Sequence, residues 1–139
     1  MTRPALLALG IVLLCSACGN DTSTTPTTPT TPAPGPGTEV LNAVMAPTGS
    51  AIRTFIASAA GTVTVTLTST APATLVGLGI GIPGTAAGGC DMTTTVNTSG
   101  GTAPQISASV DAGNFCAGAF DRGAVGSGGV LVSITIVHP

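Results

Sequence analysis

The chain has 139 residues, a formal net charge of −2, no lysine and only 6% charged residues. Without clustered basic residues it cannot neutralise the phosphates of a nucleic-acid duplex, and it cannot form a basic amphipathic helix for a membrane surface. Three phenylalanines are its only aromatic residues, so a folded core must be built from Val, Ile, Leu and Ala.

The N-terminal residues 1–17 have the pattern of a secretory signal peptide. Arg3 is followed by the apolar run 5–14, interrupted only by Gly10, and then by small residues up to Cys18. The run is shorter than the roughly 20 residues that a membrane-spanning helix needs.

The residues before Cys18 resemble a bacterial lipobox, with Ser16 and Ala17 preceding the cysteine and Cys15 where Leu is usual. We predict that Cys18 becomes the first residue and carries the acyl chains (palmitate among them) that anchor the protein to a membrane. Ordinary signal-peptide cleavage before Cys18 is the alternative. Gly19 is typical of outer-membrane sorting in a Gram-negative host, which would leave the domain in the periplasm or at the cell surface.

Residues 18–38 form a segment rich in Thr and Pro, in which a Thr-Thr-Pro triplet ends at Pro26, Pro29 and Pro32. It contains too little apolar surface to offset the entropy of ordering, and its prolines favour an extended chain. We predict a spacer between the anchor and a domain at 39–139; a tolerated linker of no particular length is the alternative.

From residue 39 onward, apolar and polar residues alternate with a period of two, which is typical of strands with one buried face. Turn signals rich in Gly, Asp and Pro separate the runs. The pattern predicts an all-β fold, an antiparallel β-sandwich of jelly-roll type with about eight strands. The predicted strands are 39–45, 51–57, 62–68, 76–82, 93–97, 105–110, 114–121 and 130–136.

One predicted strand has glycine at every second position, namely Gly77, Gly79 and Gly81. A glycine face allows another backbone or a ligand to approach closely. We consider it a candidate face for a ligand or a protein partner; a thinly covered sheet face is the alternative.

Cys90 and Cys116 remain once Cys15 is removed and Cys18 is acylated. Two thiols in an exported domain indicate a disulfide. No further Cys or His lies near them in sequence, as a metal site would need, and no CxxC motif indicates redox activity. We therefore predict neither a metal nor a cofactor.

The residues for hydrolysis are few. The only histidine, His138, could form a triad with Asp121 and a hydroxyl, and two of the three domain aspartates could pair for glycoside cleavage. Because Asp111 and Asp121 fall at predicted turns, we expect them to cap the backbone. Asp91 is the third of these aspartates, and three scattered acids make a weak calcium site. The sequence favours a protein that is not an enzyme.

Two segments resemble the bacterial pre-peptidase C-terminal (PPC) β-sandwich. The run from Gly61 to Leu67 is similar to an early strand of that family, and the segment 113–123, followed by the strand 130–137 and His138-Pro139, is similar to its end. The family's Tyr is replaced by Phe115, and its acidic mid-domain segment is missing. The resemblance implies a non-catalytic appendage domain.

Three functional hypotheses follow. The first is a membrane-tethered module that contacts another envelope or extracellular protein, or serves as a structural surface. The second is a glycan- or peptide-binding module, which a concave patch with Asp91, Asp121 and the glycine strand would favour. The third is a hydrolase, which His138 beside a Ser and an Asp would favour.

Overall fold

The computed structural model describes residues 35–85 and 89–139, which form eight strands. No helix long and apolar enough to cross a bilayer occurs within these two ranges. The strands are β1 (Gly37–Met45), β2 (Ser50–Ala57), β3 (Gly61–Ala71), β4 (Val76–Pro83), β5 (Cys90–Thr98), β6 (Ile106–Val110), β7 (Gly113–Phe120) and β8 (Val130–His138).

The strands form two antiparallel sheets of four, packed face to face. Sheet A has the order β1-β8-β3-β6 and sheet B has the order β2-β7-β4-β5. Consecutive strands therefore change sheets everywhere except at the β4–β5 hairpin, as in a jelly roll. The predicted all-β sandwich of about eight strands is confirmed.

The core lies between the sheets and follows from the alternating pattern. On β3, Val63, Val65 and Leu67 are fully buried, and the flanking Thr62 and Thr68 are exposed. A fully buried aliphatic side chain contributes about 1.5–3 kcal/mol relative to exposure. The same alternation buries four residues of the central strand β8, which are Val130, Val132, Ile134 and Ile136.

Strand β5 differs from its predicted extent of 93–97. Its pairing with β4 shifts between Ile80 and Gly81, so that Thr94 opposes Ile80, Met92 opposes Gly81, and Thr93 is the additional residue. This bulge breaks the alternation, which is why the pattern did not indicate Cys90–Met92 as strand.

The two long sides of the sandwich close differently. On one side β1 and β2 lie together, and the Arg53 guanidinium Nε donates to the Glu39 carboxylate Oε2 at 3.0 Å. On the other side the edge strands β5 and β6 leave a crevice between the sheets, lined on its inner wall by Ile80, Ile82 and Val110.

Candidate functional site

The three glycine positions of β4 lie on the outer face of sheet B, the face turned away from the core. Gly77 pairs with Phe120 of β7, Gly79 with Gly118, and Gly81 with Cys116. The alternate residues Val76, Leu78 and Ile80 are buried in the core. Directly opposed residues share a face, so this face combines the glycine row with Phe120 and Cys116.

The chain itself covers each of these glycines. A Cβ at Gly77 would overlap the Phe120 ring, and a Cβ at Gly79 would lie 2.6 Å from the Met92 Sδ. At Gly81 the obstacle is backbone, because a Cβ there would overlap the carbonyl of Asp91. A molecule on this face would therefore meet Phe120 and Met92 rather than bare glycine.

The predicted disulfide between Cys90 and Cys116 is present, with the two Cα atoms 5.9 Å apart. These cysteines lie on β5 and β7, which flank β4 and would ordinarily be separated by two strand spacings, roughly 9.5 Å. The start of β5 bends over the outer face at Gly81, which brings the cysteines within bonding reach. Gly81 is thus the position where close backbone approach requires glycine.

Bending of the sheet edge produces a groove of about 530 Å³ on the outer face of sheet B. Its apolar lining comes from both edge strands and from β7, and the half-buried Phe120 ring carries the Arg122 guanidinium 5.8 Å from its centroid. An aromatic and sulfur-containing lining with charged groups at the rim is typical of surfaces that bind a partner or a ligand. The lining residues are Ser50, Ile52, Gly89, Cys90, Asp91, Met92 and Phe120.

Asp121 is a backbone cap, as predicted. Its carboxylate accepts the amide of Thr48 at 2.8 Å and the amides of Gly123, Ala124 and Val125 at 2.7, 3.0 and 3.1 Å. These bonds, that of Thr48 foremost, lower the pKa of the Asp121 carboxyl below its ordinary value of 3.8, while desolvation opposes part of the shift. The carboxylate holds the β7–β8 loop against the β1–β2 turn.

His138 packs against aromatic side chains. Its ring stacks on Phe55 with centroids 5.0 Å apart, covers Gly37, and has Nδ1 3.3 Å from the carbonyl oxygen of Pro139. The structure therefore does not bring the ring of His138 together with the carboxylate of Asp121, which is engaged at the β1–β2 turn.

The three domain aspartates occupy separate places. Asp91 lines the groove, Asp111 lines the β5–β6 crevice, and Asp121 caps its turn. Among residues 35–85 and 89–139, no group of three or more His, Cys, Asp or Glu side chains could hold a metal ion. The acids thus contribute to three local environments rather than to one site.

The predicted signal peptide at 1–17, the acylation site Cys18 and most of the linker at 18–38 lie outside the described residues. The described part of that linker ends in strand, because β1 begins at Gly37 and pairs there with His138.

Sequence reasoning missed Met92 and the backbone of Asp91 as parts of the site. Met92 lies beyond the predicted strand and had no periodic signal. Phe120 could have been assigned to the glycine face, because alternation from Cys116 puts it on the same face of its strand.

No known protein family, characterised protein or solved structure matches this chain.

Proposed function

We propose that this chain is a non-enzymatic lipoprotein of the bacterial envelope that contacts another protein through the outer face of sheet B. The acyl chains on Cys18 would hold it at a membrane, and the Thr/Pro segment would hold the sandwich away from that membrane. The domain would then face the periplasm or the exterior, with the outer membrane as its anchor in a Gram-negative host.

The observation that carries this proposal is the groove over the glycine row. Ile52, Met92 and Phe120 expose part of their apolar surface there, and Arg122 stacks at the rim. Aromatic residues, Met and Arg are the types that are enriched in protein interfaces. An apolar side chain of a partner protein would bury this apolar surface, which is otherwise exposed to water.

The environments of His138 and Asp121 support a non-catalytic role. The histidine ring stacks on Phe55, and the carboxylate oxygens of Asp121 accept hydrogen bonds from four backbone amides. A general base must instead have a nucleophile within hydrogen-bond reach. The resemblance to PPC domains, which are appendages, points in the same direction.

A glycan- or peptide-binding role is the second candidate, and the concave shape of the groove favours it. Asp91 lies beside the apolar lining and could accept hydrogen bonds from sugar hydroxyls. Asp121, however, already accepts hydrogen bonds from backbone amides of its own turn, so it is not available to a sugar in the same way. A glycan array probed with the purified protein separates this role from protein contact.

Site-specific photo-cross-linking in the native envelope tests the proposal. A photoreactive amino acid replaces Ile52 in the groove; in the matched control it replaces Val44, which is 70% exposed on sheet A. We expect a discrete cross-linked protein from position 52 and only diffuse products from position 44. The same pattern from both positions, or no product from position 52, would overturn the proposal.

A further inference from the structure

The four edge strands of the sandwich are not equally protected against pairing with another chain. Edges β1 and β2 lie side by side and carry the Glu39–Arg53 ion pair. Edge β6 has only five residues. Edge β5 has nine residues, with no basic residue and no proline. Native edges are usually blunted by charge, proline, bulges or shortness. Strand β5 has a bulge and one charged residue, Asp91, and both lie before residue 94.

The bulge of β5 leaves a regular stretch beyond it. Residues 94–98 pair without interruption with residues 76–80 of β4. In the described part of the chain β5 is the last strand of sheet B, so its amides and carbonyls that point away from β4 have no strand beside them. Thr and Val dominate this stretch, and both favour extended backbone.

An apolar crevice of about 340 Å³ lies directly inside this edge, between β5 and β6. Thr93 and Thr94 of β5 border it, and Ile80, Ala108 and Phe115 line its wall. Ile82 belongs to the same wall and is 51% exposed, although its neighbours in the alternation, Val76, Leu78 and Ile80, are buried. The volume lies in the range of roughly 300–1,000 Å³ that is typical of ligand pockets.

We propose that the β5 edge binds an extended peptide segment of another protein, which adds to sheet B as a fifth strand and inserts a large apolar side chain into this crevice. Strand addition combines main-chain hydrogen bonds with a pocket for alternate side chains. Because side chains alternate, every second residue of the added strand would face inward beside β5. This site is separate from the groove around Phe120 and does not depend on it.

The crevice also indicates the character of the peptide. Asp111 lines it, and the ion pair found in the described residues lies on the opposite side of the sandwich. A basic residue two positions from the apolar one, which would face the same side of the added strand, would therefore be favoured by charge. A second copy of this chain fits less well, because β5 would offer only Thr94, Val96 and Thr98 from its inward face, and these are small.

Titration of the isotope-labelled protein, purified in detergent, with a synthetic peptide tests this site by NMR. The probe alternates threonine and valine around a central isoleucine and has a lysine at each end. We expect saturable shifts at Thr94–Thr98 and at the crevice residues of β6. Replacing the central isoleucine by serine should weaken binding at least about tenfold, since burial of that side chain is lost. N-methylation of alternate peptide amides should abolish binding.

The protein variants Ile82→Gln and Ile56→Gln give a matched pair, because both residues are exposed apolar positions on sheet B, at 51% and 65%. Weaker binding by the first variant alone supports the crevice. Equal binding of the N-methylated peptide, absence of shifts at millimolar peptide, or shifts around Phe120 instead would each overturn the proposal. Concentration-dependent shifts at Thr94–Thr98 without peptide would assign the edge to a second copy and overturn it as well. None of these outcomes changes the cross-linking expected at Ile52.

Discussion

Substituting the glycines of β4 one at a time should give three very different losses of stability. At Gly81 an added methyl group would overlap the backbone carbonyl of Asp91, which the adjacent disulfide at Cys90 holds in place. The start of β5 must move or the strand must distort. At Gly79 the methyl group would overlap only the flexible end of the Met92 side chain, and it would lie 3.2 Å from the Thr94 carbonyl oxygen, which is a tight but much milder contact than that at Gly81.

The sizes of these losses follow from what has to move. Overpacking against fixed backbone costs about 3 kcal/mol, so Gly81→Ala should lower the free energy of unfolding by about that amount. For a domain of about 100 residues this corresponds to a fall in Tm of roughly 12–24 °C. Gly79→Ala should stay within about 1 kcal/mol of the parent, because alanine is favoured over glycine in a strand by about 0.5–1 kcal/mol. Gly77→Ala should lie between them, since the Phe120 ring must turn away.

Urea unfolding followed by far-UV circular dichroism measures these differences, because the chain has no Trp or Tyr to report by fluorescence. The Gly79→Ala protein is the matched control for Gly81→Ala, since both add one methyl group to the same face of one strand. A loss at Gly81 no larger than that at Gly79 would refute the close backbone approach of β5.

Three further results are expected. Replacing both Cys90 and Cys116 by alanine should destabilise the oxidised protein by about 3.5 kcal/mol, from the loop of 26 residues that the bond closes, and should increase the urea m-value because the unfolded chain becomes more expanded. Asp121→Asn should lower Tm at neutral pH: the folded pKa of this carboxyl is lowered, so its stabilisation is present above about pH 3.8 and disappears as the pH falls through the folded pKa. Arg53→Ala should cost no more than about 1 kcal/mol, because its ion pair with Glu39 is partly exposed to solvent.

Each of these has a clear contrary result. A disulfide-free protein as stable as the parent would mean that the loop entropy does not limit folding. An Asp121→Asn protein whose Tm falls as steeply as that of the parent below pH 3.8 would show that another carboxylate dominates acid unfolding. A large loss from Arg53→Ala would mean that its aliphatic stem, rather than its charge, closes the side of the sandwich.

The fold could be predicted from the sequence because alternation alone determines which face of each strand is buried. The alternating pattern predicts two neighbouring strands of sheet A in this way, at Val63 to Leu67 and at Val130 to Ile136. The pairing of Cys90 with Cys116 was predictable from the number of cysteines. The capping role of Asp121 was predictable from its place in a turn.

The site was only partly predictable, because it depends on a departure from regular pairing. Gly77, Gly79 and Gly81 stood out, but the sequence does not indicate what lies over them. That depends on the bulge at Thr93, which turns the start of β5 over Gly81 and brings Met92 onto the glycine row. A single inserted residue has no periodic signal, so the groove could not be predicted. The crevice depends on the separation of the two sheets at β5 and β6, which the alternating pattern does not indicate.

The strand order has a consequence for the timing of folding. In each sheet a late strand joins the earlier ones: β7 lies between β2 and β4, and β8 lies between β1 and β3. The partners Gly37 and His138 stand about as far apart in sequence as the domain allows. Neither sheet can therefore be assembled from the N-terminal strands alone, and such long-range pairing slows folding. A chain emerging from a ribosome or a translocation pore would stay unfolded until its last strand arrives, and would then close both sheets almost together.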